Sequence, residues 1–391
     1  MILENQHNLT EFRRAIRDWI LATVPSDWEQ KLNAGDDAEY ERFQRWWMAE
    51  RNKVGLATPH WPKEYGGAGL SLAHQIVIAD EMARLNAPPL DMYIVSLNHI
   101  HSTLIPYGTP EQKTKYLPGI ARGDVWCQGF SEPGAGSDLA SLQCRAERKG
   151  DHYLINGQKI WSSNSMYAHY CILLARTDPS APKHSGISFF LMDMQAPGVE
   201  IRPIRQANGR AEFGEIFLDN VKIPAENLVG PENSGWKVAQ STLAAERGVL
   251  AFEGAERQRY WVEKFYKNAL ESNAPWLNDD EMRREFMSLF ARTQAGRRLI
   301  RKLLRENQHG QTGSSLTPAF VKLSGTDLRQ EIASFMVRTI GLESQYLEKS
   351  TEASTDGMTE YLTSFGGIIA AGSNEIMRNI IAERGLGMPR N

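Results

Sequence analysis

The chain has 391 residues, a formal net charge of −3, 41% hydrophobic residues and 23% charged residues. That length exceeds one ordinary core, so two or three domains are expected, and the nearly balanced charge offers nothing to a polyanion such as nucleic acid. No apolar run approaches the roughly 20 residues a membrane span needs, so no membrane partner is expected.

The pattern is helical from residue 1 to about 122. "LTEFRRAIRDWILATV" places Phe12, Ile16, Trp19, Ile20 and Val24 at three-to-four spacing, with Thr10 as the expected cap. "AEYERFQRWWMAERNKVGL" repeats that period, and "TPHWPKEYGGAGLS" breaks it with proline and glycine. "SLAHQIVIADEMARLNAP" and "GTPEQKTKYLPGIARGD" complete the helical region. Between about 123 and 233 the period changes. Gly150–Asp151 and Asn156–Gly157 predict turns, and "YCILLART", "GISFFLMDM", "VEIRPI" and "FGEIFLDNVKIP" read as strands of a β-barrel or sandwich. From 234 to 391 the helical period returns, first in the long "GWKVAQSTLAAERGVLAFEGAERQRYWVEKFYKNAL". "DDEMRREFMSLFARTQAGRRLIRKLLREN" follows, with Asp279 and Asp280 at its acidic start. The expected fold is therefore an α+β multidomain chain: a helical domain (1–122), a β domain (123–233) and a helical domain (234–391).

Cys127, Cys144 and Cys171 are odd in number and widely spaced, without a CxxC, and the nine histidines show no HExxH. Neither a disulfide framework nor a metal site is expected from those patterns, and buried thiols in a reducing compartment are. The opening residues lack a basic segment followed by an apolar block, and "GLGMPRN" carries no lipidation signal, so a cytoplasmic location is expected.

The first chemically informative stretch is "CQGFSEPGAGSDLASL", residues 127–142. Gly134 and Gly136 around Ala135 make a loop able to bring backbone N–H groups close to carbonyl, phosphate or heteroaromatic edges. A second is "LAAERGVLAF", where Glu246 and Arg247 stand side by side on a predicted helix. Neighbours in a helix point about 100° apart, so the two cannot easily pair with each other.

"SEPGAGSD", "NGQKIWSSN", "NVKIPAENLVG", "AAERG" and "AGSNEIMRNIIAERGLGMPR" resemble, in this order, the signature blocks of the acyl-CoA dehydrogenases. "HWPKEYGGAGLS" is similar to theirs as well, and the resemblance covers essentially the whole chain. It implies a helical domain, a β domain and a C-terminal four-helix bundle, with FAD held between the last two. It also implies a reaction: removal of hydrogens from Cα and Cβ of an acyl-CoA thioester to give a trans-2-enoyl-CoA. Flavin N5 takes the hydride, and electrons pass to an electron-transfer flavoprotein.

Carried over by position, Gln128, Phe130, Ser131, Gly136 and Ser137 would line the cofactor, with Ser131 near the isoalloxazine and Ser137 also at the CoA arm. Trp161 matches a tryptophan beside the flavin, with Ser162 next to it, and Ser163 matches the hydroxyl that hydrogen-bonds N5. Gly372, Ser373, Asn374 and Glu375 match a stretch touching FAD, and Gly341 is a remnant of a glycine pair serving the neighbouring subunit's cofactor. The usual Arg-x-x-Phe-Gly motif is missing, so how the adenine end is held stays open.

The reaction needs a carboxylate within reach of the α proton, on the face opposite the flavin. Many members carry it near the C-terminus, where this chain has Ala371; a second subgroup, including isovaleryl-CoA and long-chain members, carries it just before an arginine on an earlier helix. That position is Glu246, so Glu246 is the expected base, with Arg247 and Ala371 beside the substrate and Glu375 as a rival. The combination resembles bacterial members acting on branched, cyclic or steroid side-chain thioesters. A homodimer or homotetramer is expected, with a heterotetramer as the alternative. Other chemistries on this fold are an acyl-carrier-protein dehydrogenase, a flavin oxidase or a monooxygenase, and a non-catalytic subunit is a further reading.

Overall fold

The computed structural model describes residues 2–32, 36–245, 249–308, 316–345 and 355–389. It divides into two compact units, one of residues 1–75 with 88–246 and one of residues 76–87 with 247–391.

The first unit opens with α1 (Leu9–Thr23), α2 (Trp28–Leu32) and α3 (Asp37–Lys53). In α1 the predicted stripe is internal: Phe12, Ile16 and Ile20 are buried. Its cap is Asn8 rather than Thr10, because the Asn8 carboxamide oxygen accepts from the N–H groups of Thr10 and Glu11. Helix α4 (Leu72–Arg84) straddles the division between units. Then come α5 (His101–Tyr107), α6 (Pro110–Arg122) and, beyond the sheet, α7 (Gly235–Ala245). Thr109 and Gln112 close a capping box on α6, and Gly123 ends it at φ 114°, where a side chain would be strained.

The sheet consists of β1 (Trp126–Gly129), β2 (Arg145–Lys149), β3 (His152–Ser163), β4 (Tyr170–Arg176), β5 (Ile187–Asp193), β6 (Val199–Ile204) and β7 (Phe213–Pro224). Its order is β1-β4-β2-β3-β7-β6, with β5 also paired to β4. Alternate residues of β4 enter different cores: Ile172 and Leu174 pack with Leu104 of α5, Leu117 of α6 and Val238 of α7, whereas Cys171, Leu173 and Ala175 pack with Phe190, Met192 and Ile216. Coverage on both faces explains why "YCILLA" and "ISFFLM" read as unbroken apolar runs. All three cysteines are buried free thiols in this region.

Gly150–Asp151 is the turn between β2 and β3, as the dipeptide predicts. Asn156–Gly157 is not a turn; it lies inside β3, at a register shift against β7. There the Asn156 side chain exchanges hydrogen bonds with Asn220, which has φ 50°, and a Cβ on residue 157 would stand 2.8 Å from the Cys144 Cα. The glycine serves a close backbone approach rather than a chain reversal.

The second unit contains α8 (Val249–Glu271), α9 (Asp280–Gln308), α10 (Thr317–Ile340), α11 (Thr355–Ile369) and the short α12 (Asn374–Ile380). Phe265, Trp276, Phe286 and Phe335 form its aromatic centre, the rings of Phe265 and Trp276 stacking at 5.8 Å. Asp279 accepts from the N–H groups of Glu281 and Met282, which makes it the cap of α9.

Candidate functional site

Gln128 lies in β1, one residue before the strand ends at Gly129, and the following loop turns tightly: Glu132 and Ala135 exchange backbone hydrogen bonds of 3.1 and 3.0 Å. Ser131 is joined to β3 by its carbonyl, which accepts from the Ile160 N–H at 3.0 Å. The structure thus brings together two stretches the sequence singles out, 128–131 and 160–163.

A bulge decides which side chains this junction shows. Lys159 pairs with Ile216 and Ser162 with Gly214, so β3 holds one residue more than β7 across this interval. Regular alternation from the buried Lys159 would put residue 161 inside and residue 162 outside. The extra residue reverses that: Trp161 is 57% exposed and Ser162 fully buried. Trp161 carries φ 60°, a left-handed conformation that costs a bulky side chain on the order of 1–2 kcal/mol. Phe213 meets its ring edge-on at 6.1 Å.

Two buried polar atoms at this junction, Gln128 Nε2 and Ser162 Oγ, have no hydrogen-bond partner among the described residues. Buried donors are normally satisfied, so such groups beside an outward-turned indole fit a ligand with hydrogen-bonding atoms and a flat ring system. A Cβ at Gly134 or Gly136 would meet nothing within 4 Å, so the chain's own packing requires neither glycine. Gly136 and Ser137 lie on the exposed part of the loop, while Phe130 is buried and packs edge-on against Phe189 at 5.8 Å. Asp138 next to them accepts from Lys183 Nζ at 2.8 Å and from Ser141, and these contacts hold its carboxyl below the usual range. These features fit a flavin.

In the second unit, Gly341 ends α10 at φ 79°. Ala371 and Gly372 both have positive φ, 56° and 84°, and turn the chain from α11 into α12. Ser373 caps α12 through the Ile376 N–H. Asn374 is buried: it accepts from Lys322 at 2.5 Å and Thr326 at 3.0 Å and donates to Asp327 at 2.6 Å. Glu375 is exposed, bridged to Arg378 at 3.2 Å, and its carboxyl is held low chiefly by backbone hydrogen bonding at the helix start. Glu246 and Arg247 lie outside the described residues.

The glutamates on α8 have other occupations. Glu253 pairs with Arg257, and Glu256, fully buried, receives Arg259 and Arg297 at 3.1 and 2.8 Å. Glu263 is held by Arg259, and Glu271 stands 3.7 Å from Lys267. No cluster of metal-ligating side chains occurs among the described residues, and none of the described helices is long and apolar enough to cross a membrane.

Residues 8–124, 127–221 and 233–386 match the N-terminal, middle and C-terminal domain models of acyl-CoA dehydrogenase. The chain belongs to the acyl-CoA dehydrogenases. As an acyl-CoA dehydrogenase it is an oxidoreductase of an FAD-dependent family, with the helical, sheet and helical domains of that fold. It is 36% identical to the acyl-CoA dehydrogenase IpdE1 of Mycolicibacterium smegmatis, covering 97% of this chain and 98% of the relative. The Tcur3481-Tcur3483 steroid ACAD structure superposes with a TM-score of 0.87 at 31% identity, covering 98% of both chains. The ChsE4-ChsE5 complex from Mycobacterium tuberculosis gives 0.82 at 29% identity, covering 99% of this chain and 98% of that one.

Sequence reasoning singled out neither Lys159 nor Glu132, a buried ion pair beneath this junction. The available signal was the lysine of "NGQKIW", a charge set in a strand. Nor did it find Asn164, at φ 55°, whose N–H donates to Glu212 and whose side chain donates to Asp91.

Proposed function

We propose that this chain is a catalytic acyl-CoA dehydrogenase subunit that removes hydrogens from Cα and Cβ of an acyl-CoA thioester. Glu246 takes the α proton. FAD, when bound, would supply the acceptor for the β hydrogen as hydride, and an electron-transfer flavoprotein would take up the electrons. Ser131, Ser163 and Trp161 would hold the ring system and Gln128, Phe130, Gly136, Ser137 and Ser162 the rest of its surface; residues 372–375 are a further stretch that would touch FAD, and Gly341 one that would serve the neighbouring subunit's cofactor.

The observation that carries this reading is the junction of β3 with the Ser131 loop, where the bulge turns Trp161 outward and Gln128 Nε2 and Ser162 Oγ have no hydrogen-bond partner among the described residues. The assignment of the base rests on the sequence and is supported by elimination. Ala371 cannot accept a proton, Glu375 is ion-paired, and Glu253, Glu256, Glu263 and Glu271 all face cations. A base near the acyl chain must be free of such a partner to titrate usefully.

The steroid ACAD among the similar structures supports a bulky polycyclic acyl group over a straight chain, and the ChsE4-ChsE5 complex keeps a two-gene heteromer in view beside a homo-oligomer. The test is anaerobic bleaching of the bound flavin by straight-chain, branched and steroid-derived CoA thioesters, repeated with Glu246→Gln. Bleaching by the bulky thioesters and a rate loss of roughly 10²–10⁴ in the variant, with the yellow colour kept, are expected. Normal bleaching by the variant removes Glu246. Rapid reoxidation of reduced flavin by air would favour an oxidase.

A further inference from the structure

The pair beneath the Ser131–Ile160 junction is built in an unusual way for a sheet interior. Lys159 is fully buried, and its ammonium donates to Glu132 Oε1 at 2.8 Å and to the Phe130 carbonyl at 3.1 Å. Those two acceptors flank Ser131 in the chain. Ser131's own carbonyl accepts from the Ile160 N–H, so the serine is fixed through the residue before it, the residue after it and itself. Glu132 then fastens the far side of the loop, accepting from Gln143 N–H at 2.6 Å and from Cys144 N–H at 2.9 Å. Lys159 is also the last residue in register before the bulge that turns Trp161 outward.

A buried ion pair is a poor device for stability alone, because desolvation takes back much of the Coulomb attraction and well-packed apolar residues often do as well. What it supplies is direction: an ammonium and a carboxylate satisfy each other and several backbone groups only in one arrangement.

We infer that Lys159 and Glu132 are positioning residues: the pair sets the Ser131 loop and the Trp161 bulge in the relative placement that receives the flavin ring. This rests on the flavin-facing reading of that junction, and neither side chain is a catalytic residue.

The test uses the full chain with Lys159→Met, Glu132→Gln and, as a variant destabilised elsewhere, Phe12→Leu in the buried stripe of α1. Three quantities are measured: the melting temperature without cofactor, the Kd for FAD added back to apoprotein, and hydrogen exchange of the Ile160 amide. Lys159→Met and Glu132→Gln are expected to raise the FAD Kd at least tenfold and shift the visible flavin band. They also speed exchange at Ile160, whose acceptor neither substitution touches. Phe12→Leu lowers the melting temperature without those changes. If Lys159→Met does not fold, Glu132→Gln decides. Variants with lowered melting temperature, a Kd within twofold of wild type and an unshifted band would reduce the pair to a structural ion pair. Wild-type apoprotein that takes up no FAD would instead overturn the cofactor reading itself.

Discussion

Thr103 Oγ1 on α5 and Thr242 Oγ1 on α7 stand 2.6 Å apart, and both residues are fully buried. Ser241 adds a 3.0 Å bond to the Ser102 carbonyl beside them. Residues 139 apart in sequence are thereby fastened one turn before α7 ends at Ala245. Thr242→Val leaves the Thr103 hydroxyl buried without this partner, so a loss of about 1–3 kcal/mol is expected. Thr103→Val with Thr242→Val should lose less than the two single changes added together, because both polar groups leave at once. Chemical denaturation of the four proteins measures this; strictly additive losses would show that the hydroxyls do not act as a pair.

Trp161 is expected to separate stability from cofactor binding. Its indole is 57% exposed and its backbone is left-handed. Trp161→Gly therefore relieves strain of roughly 1 kcal/mol while losing little packing. Apoprotein stability should stay level or rise, and FAD affinity should fall. A melting temperature several degrees lower would mean that the indole serves the fold.

His101 gives the first unit an acid-sensitive element. Its ring stacks on Trp61 at 5.1 Å and meets His60 edge-on at 5.0 Å. Burial, with a smaller push from His60, lowers its pKa from 6.5 to about 4. The native ring stays neutral over a range where the unfolded chain takes up a proton. Its contribution is therefore complete above about pH 6.5 and is lost as pH falls toward 4. His101→Gln should flatten the fall in melting temperature between pH 7 and pH 5. An unchanged pH slope would show that other groups set acid stability.

Glu256 ties α8 to α9 by accepting from Arg259 and Arg297 while fully buried itself. Removing the carboxylate takes the counter-charge from Arg297, while Arg259 keeps its pairing with Glu263. Glu256→Gln should cost about 3 kcal/mol, toward the lower end of the buried-pair range because both arginines are partly solvated. Urea titration measures it. A change under about 0.5 kcal/mol, as for an ordinary surface pair, would show that water screens the site.

Much of this was already in the order of residues. The stripe Phe12, Ile16, Ile20, the strands "YCILLA" and "FGEIFLDNVKIP", and the return of the helical period gave the helix, sheet, helix order, because periodicity records which face is buried. The motif blocks marked 128–137, 161–163 and 371–375. What sequence could not give is register. Nothing in "GQKIWSSN" says that β3 gains a residue at Trp161, since a bulge is settled by the partner strand. Asn156–Gly157 carries a turn signature yet lies inside β3, where contact with Cys144 and pairing with Asn220 outweigh the local preference. The partners of Lys159, which fix Ser131, come from a loop 27 and 29 positions away. Local pattern determines which elements form; only chain closure in space decides which side chain each one presents.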